Sequence, residues 1–201
     1  MIGIVLKEMP LGEADKLLKV FSREEGLITV VAKGAKKSGS RFLAAASVFA
    51  YSDMELVKGK SMYVLKNAKL IESFYGLRED LDILTAAADI GKMTLKVIQE
   101  DLPDEESLEL LLKALALLEK KRDPLFVKAV FTIRLLWFQG MIGSPEEMTP
   151  DEMKRLLPGT LAAFKHICSC DEDKLFAFKL SEEALKDLCR YADSLHNIVL
   201  N

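Results

Sequence analysis

The sequence is poor in the side chains that carry most covalent, acid–base and metal chemistry: it holds two histidines and three cysteines in 201 residues. The cysteines, Cys168, Cys170 and Cys189, are odd in number, so they give no disulfide framework, and a reducing cytosol is the simplest setting for them. Cys168 and Cys170 are one residue apart, not the two that let paired thiolates share a tetrahedral zinc, and only His166 lies nearby. Ordinary reduced thiols and no metal are expected. Neither His166 nor His196 falls in an HExxH or nucleophile motif, and both read as structural histidines on helices. The acidic pairs Glu105-Glu106 and Glu182-Glu183 sit where helices begin, and the helix dipole accounts for them. No catalytic pair is left, and no enzymatic activity or cofactor is expected. Long apolar runs are also missing: none approaches the roughly 20 residues of a membrane span. The opening MIGIVLKEMP alternates instead of placing a basic region before an apolar block, so it is not read as a secretory signal.

What the chain has in quantity is hydrophobic residues, half of the total, and charge, 29%. This is globular composition. The charge is uneven, because residues 1–80 carry 13 Lys and Arg against 10 Asp and Glu, while residues 81–201 carry 15 against 21. A mildly basic front is joined to an acidic back, with a formal net charge of -3 overall.

The hydrophobic period changes at the same place. Ile2, Ile4 and Leu6 alternate; DKLLKVFS and GLITVVAKG follow as short strands; AYSDMELVKGKSMYVLKNAKLIESF reads as a hairpin turning at Lys58-Gly59-Lys60. RFLAAASVFA, between the third and fourth strands, predicts a short helix. Five strands with an insert after the third is the order of an OB-fold, with an SH3-like barrel as the alternative. From about residue 78 the period is helical. Asp123-Pro124 reads as an N-cap and first helical position, and Ser144-Pro145-Glu146-Glu147 and Thr149-Pro150-Asp151-Glu152 both have the capping-box pattern, one of them expected to open a single turn. The expected architecture is α+β: an OB-fold β-barrel over residues 1–77 packed on a helical bundle domain over residues 78–201.

AKGAKKSGSRF, residues 32–42, sets Lys33, Lys36, Lys37 and Arg41 among glycines and serines with no acid. Three readings are open: solvated surface, a nucleotide cradle, or a grip on a nucleic-acid backbone. Gly34 and Gly39 have P-loop spacing, but Ser40-Arg41 follows where the mechanism needs Lys and then Ser or Thr, and consecutive strands are the wrong setting. For nucleic acid, the loop lysines together with Lys58, Lys60, Lys66 and Lys69 supply charge, and Phe21, Phe42, Tyr51, Tyr63 and Phe74 are interleaved with them. A small barrel also needs such aromatics for its core. In the helical half Arg134 and Trp137 are three residues apart and form one stripe, which suits either cation–π packing or a pocket for an apolar, carboxylate-ended peptide.

These stretches together resemble the RecO family of bacterial recombination mediators. GIVLKEMPLGEADKLLKVFSREEGLITVVAKGAKKSGSRF carries most of the resemblance, with Gly12-Glu13-Ala14-Asp15, Phe21-Ser22-Arg23-Glu24, Gly26-Leu27 and Ala32-Lys33-Gly34 in family order. YVLKNAKLIESFYGLREDL, DPLFVKAVFTIRLLWFQG and LFAFKLSEEALKDL extend it over about 180 residues. The resemblance implies an N-terminal OB-fold, a C-terminal helical domain, and binding of single- and double-stranded DNA with annealing of complementary strands. It also implies work with a RecR partner to load recombinase onto strands covered by single-strand-binding protein. That protein's acidic, apolar-ended C-terminal tail would be held by the helical region, with Arg134 and Trp137 as the residues offered to it. Lys33, Lys36, Lys37, Arg41, Lys58 and Lys60 would meet DNA phosphates, and the setting would be cytoplasmic and nucleoid-associated. The chain departs from many relatives, which carry a four-cysteine zinc motif near GMIGSPEE and FKHICSCDE. It has Val48-Phe49-Ala50 where PFS-like residues often stand, and it ends soon after LSEEALKDL, where relatives often continue. The alternative reading is a protein-interaction adaptor with little direct DNA binding.

Overall fold

The computed structural model describes residues 1–200, with side chains through residue 195; the His196 side chain lies outside the described residues. Five strands come first: β1 (Ile2–Leu11), β2 (Asp15–Ser22), β3 (Gly26–Ala32), β4 (Tyr51–Lys58) and β5 (Tyr63–Glu72). They close into a barrel in the order β1-β2-β3-β5-β4. Every pairing is antiparallel except β3 with β5, where Val30 and Val31 lie beside Tyr63 and Val64, and β1 returns to β4 through Ile2–Ile4. This is the Greek-key closure of an OB-fold. Alternation puts Val5, Leu18, Val20, Ile28, Val30, Met54 and Leu65 inside.

The connection between β3 and β4, residues 33–50, is not the short helix its alanines predict. It is a run of turns closed by i→i−3 bonds, such as Lys37 N–H to the Gly34 carbonyl at 3.1 Å and Ser40 N–H to the Lys37 carbonyl at 3.0 Å, with a single i→i−4 bond from Ala46 to Phe42 at 2.8 Å. Burial is the reason. Ala35, Phe42 and Ala46 turn into the barrel core, and the turns of the connection bring all three there. Burying Phe42 alone is worth about 2–3 kcal/mol by area removed from water, enough to override a weak alanine preference.

The chain divides into two compact units, Met1–Tyr75 with Ile98–Leu108, and Gly76–Val97 with Glu109–Asn201. The stretch 98–108, inside the half whose period is helical, thus belongs to the barrel unit. It runs beside the β2–β3 turn: Asp101 N–H donates to the Leu27 carbonyl at 3.2 Å, Lys19 pairs with Glu100, and Arg23 pairs with Glu105 at 3.2 Å. Gly26 sits there at φ +68°, and a Cβ on it would lie 2.0 Å from the Leu102 carbonyl oxygen.

The helices are α1 (Leu81–Val97), α2 (Glu105–Glu119), α3 (Pro124–Phe138), α4 (Pro150–Lys154), α5 (Pro158–Ser169) and α6 (Glu182–Leu200). Among the described residues no helix is long and apolar enough to cross a membrane. In the second unit α3 is central and packs on α1, α5 and α6. Asp123 caps it as the sequence predicts, accepting from Leu125 and Phe126 N–H at 2.9 and 3.1 Å. Both capping boxes form, and each opens something short: a single turn over Pro145–Glu147 and the five-residue α4. Thr149 donates to the Glu152 carboxylate from its N–H (2.7 Å) and hydroxyl (2.8 Å), which holds Glu152 below the usual carboxylate range.

Arg134 lies in this core at 6% exposure. Its guanidinium donates to the carbonyls of Ile167 (2.6 Å), Cys168 (3.1 Å) and Cys170 (3.1 Å), and lies 5.0 and 4.5 Å from the ring centres of Trp137 and Phe138. It caps the carboxyl end of α5, where the helix dipole supplies partial negative charge. Both terminal nitrogens of Arg134, the residue expected from the sequence to meet a peptide carboxylate, donate to main-chain acceptors inside the protein.

Two stability predictions follow from these contacts. Gly26→Ala meets both a left-handed backbone and a carbonyl, and should cost about 2–4 kcal/mol in urea unfolding; a loss under ~0.5 kcal/mol would contradict the described contact. Arg134→Met should cost about 3 kcal/mol by stranding buried carbonyls, read as a lowered urea midpoint.

Candidate nucleic-acid interface

The barrel's cations fall into two groups. Those on β2 and in the turn after it are paired: Lys16 with Glu8 at 2.9 Å, Lys19 with Glu100, and Arg23 with Glu105, while Lys7 on β1 stands apart and exposed. Those of the 33–50 connection and the β4–β5 hairpin are not so paired. Lys33, Lys36, Lys37, Arg41, Lys58, Lys60, Lys66 and Lys69 are exposed and form no ion pair among the described residues. Residues 33–69 hold these eight with only two acids, Asp53 and Glu55, and Asp53 is engaged by the amino terminus at 3.5 Å. Lys66 and Lys69 thus join the six residues singled out from the sequence.

Local structure explains the concentration. Ala35 and Phe42 point inward, so their neighbours Lys36, Lys37 and Arg41 must point outward. Arg41 lies 4.7 Å from the Phe42 ring centre and donates to the Lys66 carbonyl at 2.7 Å, tying the connection to β5. Lys58 faces Tyr63 across the hairpin, with its ammonium 5.5 Å from the ring centre. The tyrosine hydroxyl accepts from that ammonium, which holds Lys58 above the ordinary lysine range and fully charged at neutral pH. The glycine spacing at Gly34 and Gly39 leads into turns, not into a helix whose N-terminus could receive a phosphate.

The aromatics interleaved with these lysines face the other way. Phe21, Phe42, Tyr63 and Phe74 are buried, and Tyr51 is half-buried. Charge and aromatic faces are therefore not side by side as a base-stacking platform requires. The open face offers cations, amides and a few exposed apolar side chains, Leu43, Val57 and Met62.

In the helical unit, Cys168 is buried and desolvation pushes its thiol up to about 12; burial likewise raises Cys170, and Cys189 to about 11. His166 makes a ring nitrogen contact with the Lys174 carbonyl at 3.1 Å and packs on Phe178. Among the described residues no three His, Cys, Asp or Glu side chains are grouped to hold a metal. A cleft of about 730 Å³ lies between the turn after α3 and helices α4 to α6. Met148, Leu156 and Phe164 give it an apolar wall, and Arg155 and Arg190 line it together with the acids Glu147, Glu152 and Asp187. Arg190 is paired with Asp187 at 3.4 Å; Arg155 has no ion pair among the described residues. Sequence spacing could not find this cleft, because its walls come from separate segments between Ile142 and Leu195.

Comparison with known proteins agrees with this architecture. Residues 1–74 match the family model "Recombination protein O N terminal" and residues 78–142 match "Recombination protein O C terminal". The chain is 35% identical to the DNA repair protein RecO of Acetivibrio thermocellus over 92% of its own length and 85% of that protein. It is 39% identical to the protein of the same name from Gloeothece citriformis, and 34% to that from Alkaliphilus metalliredigens. Those matches cover 61% and 69% of this chain but only 43% and 57% of the two relatives, so the chain spans about half the length of each. With an OB-type barrel, an unpaired basic face and both family models in order along the chain, this protein belongs to the RecO family of recombination proteins.

Proposed function

We propose that this protein is a non-enzymatic mediator of recombinational repair that grips the phosphate backbone of single- and double-stranded DNA. The observation that carries the reading is the open face of the barrel, where eight exposed cations have no acid paired with them among the described residues, while Lys16, Lys19 and Arg23 are neutralised within the barrel unit. Phosphates are the partners that such a face lacks. Binding of this kind releases counterions and is sequence-independent. Held strands with bases left unstacked and accessible are suited to annealing with a complement, and the reading extends to loading of recombinase together with RecR. It assigns no catalytic residue and no cofactor.

Lys33, Lys37, Lys58 and Lys60 test the charge without disturbing the main-chain contacts of Lys36 and Arg41. Replacing these four by alanine should lower the log–log salt slope for single-stranded DNA by roughly 3, at about 0.7 per phosphate, and weaken binding equally across sequences. An unchanged slope and affinity would remove the barrel face from the account.

The helical cleft favours a second role beside the first, and the adaptor reading rests on it. An acidic, apolar-ended peptide such as the single-strand-binding protein tail suits an apolar wall with Arg155 beside it, since the acids that also line the cleft are engaged: Glu147 by the Ser144 N–H, Glu152 by Thr149 and Asp187 by Arg190. Arg155→Glu should weaken tail-peptide binding about tenfold, as loss of an exposed-to-half-buried charge pair does, with DNA affinity unchanged. Equal peptide binding by the variant and the unaltered protein would exclude the cleft.

A further inference from the structure

The basic connection is held at its start by an acid. Asp15, the first residue of β2, accepts a hydrogen bond at Oδ1 from the Gly34 N–H at 2.7 Å. Lys36 N–H donates to the Ala14 carbonyl at 2.9 Å, and the Lys36 ammonium to the Gly12 carbonyl at 3.1 Å. The turn Gly12–Ala14 and the start of the basic connection are thus clasped together in the barrel unit. Asp15 is half-buried, and it forms no ion pair among the described residues although three cations, Lys36, Lys37 and Arg41, follow Gly34 within seven positions. An acid in that place lowers the attraction of the face for phosphate, so simple charge logic disfavours it. Its use must lie in the main-chain bond.

Gly34 supplies the other half of the device. Its φ of +69° turns its N–H toward Asp15 and sends the chain on with Ala35 in the core and Lys36 and Lys37 outside. Opening the clasp would let residues 33–41 spread over many conformations, and each lysine would then have to be ordered when DNA binds. We infer that Asp15 is a positioning residue for the DNA-binding face, holding the lysine connection in register through the Gly34 amide at the expense of one unfavourable charge. The inference deepens the proposed function and rests on it for its DNA readout only.

Two substitutions separate position from charge. Asp15→Asn and Asp15→Ala remove the same negative charge, but the asparagine oxygen can still accept from Gly34 and alanine cannot. With the full chain and a fluorescent single-stranded oligonucleotide at low salt, Asp15→Asn should bind as tightly as the unaltered protein or about twofold tighter. Asp15→Ala should bind about tenfold more weakly despite its equal gain in net charge, the scale expected when a charge-assisted hydrogen bond is lost. Brief trypsin treatment without DNA supplies a readout independent of binding. Cleavage after Lys36, Lys37 or Arg41 should be about tenfold faster in Asp15→Ala than in Asp15→Asn, because tryptic attack samples the opened connection. Circular dichroism melting monitors the barrel itself, and the contrast is read on variants that melt cooperatively. Tighter DNA binding by both variants, with equal trypsin rates, would overturn the inference. If the unaltered protein fails to bind DNA while the trypsin contrast holds, the proposed function falls and the clasp stands.

Discussion

The charge pattern of the barrel depends on one packing constraint: the connection from β3 to β4 must bury Ala35, Phe42 and Ala46 in the barrel core. Once those three are inside, the residues between them have one direction left. Lys36, Lys37 and Arg41 are pushed outward by the burial of their neighbours, and Arg41 then fastens the connection to β5 through the Lys66 carbonyl. A lysine-rich segment that reads as a loose loop in sequence is therefore a fixed surface. Hydrophobic burial sets where the positive charge stands, and electrostatics decides only what comes to it.

The same barrel neutralises the cations of β2 and of the turn that follows it. An OB-fold commonly receives oligonucleotides on its second and third strands and neighbouring loops. Here Lys16, Lys19 and Arg23 are matched by Glu8, Glu100 and Glu105, and the 98–108 stretch occupies the β2–β3 turn so closely that Gly26 has no room for a side chain. Neutralisation on one side and open charge on the other give the barrel a single face for a polyanion. Since Phe21, Phe42, Tyr63 and Phe74 are buried in the core, that face presents charge rather than aromatic stacking surfaces.

Strand order, the Asp123 cap and the two capping boxes were legible in sequence because each is written within a few neighbouring residues. So was the barrel class, from five short periods and an insert. The helix expected at RFLAAASVFA was not formed, because alanine's local preference yields to the distant demand for Phe42 in the core. The surroundings of Arg134 were not legible for a similar reason: its three carbonyl partners lie 33 to 36 residues away, on a helix end whose approach no local spacing announces. Lys66 and Lys69 could be seen as charges but not as members of one face until β4 and β5 were paired. Asp15 was visible only as part of a family motif, and its role appears with the Gly34 contact.

Hydrogen–deuterium exchange of the full chain, with and without a single-stranded oligonucleotide at low salt, tests the central claim most directly. Exchange reports main-chain protection segment by segment, so it locates the bound strand without any substitution. The account predicts slowed exchange over residues 33–41 and 58–69, with the β2 strand and the 98–108 stretch unchanged. Protection confined to the β2–β3 turn or to the helical unit, with 33–41 unaffected, would contradict it.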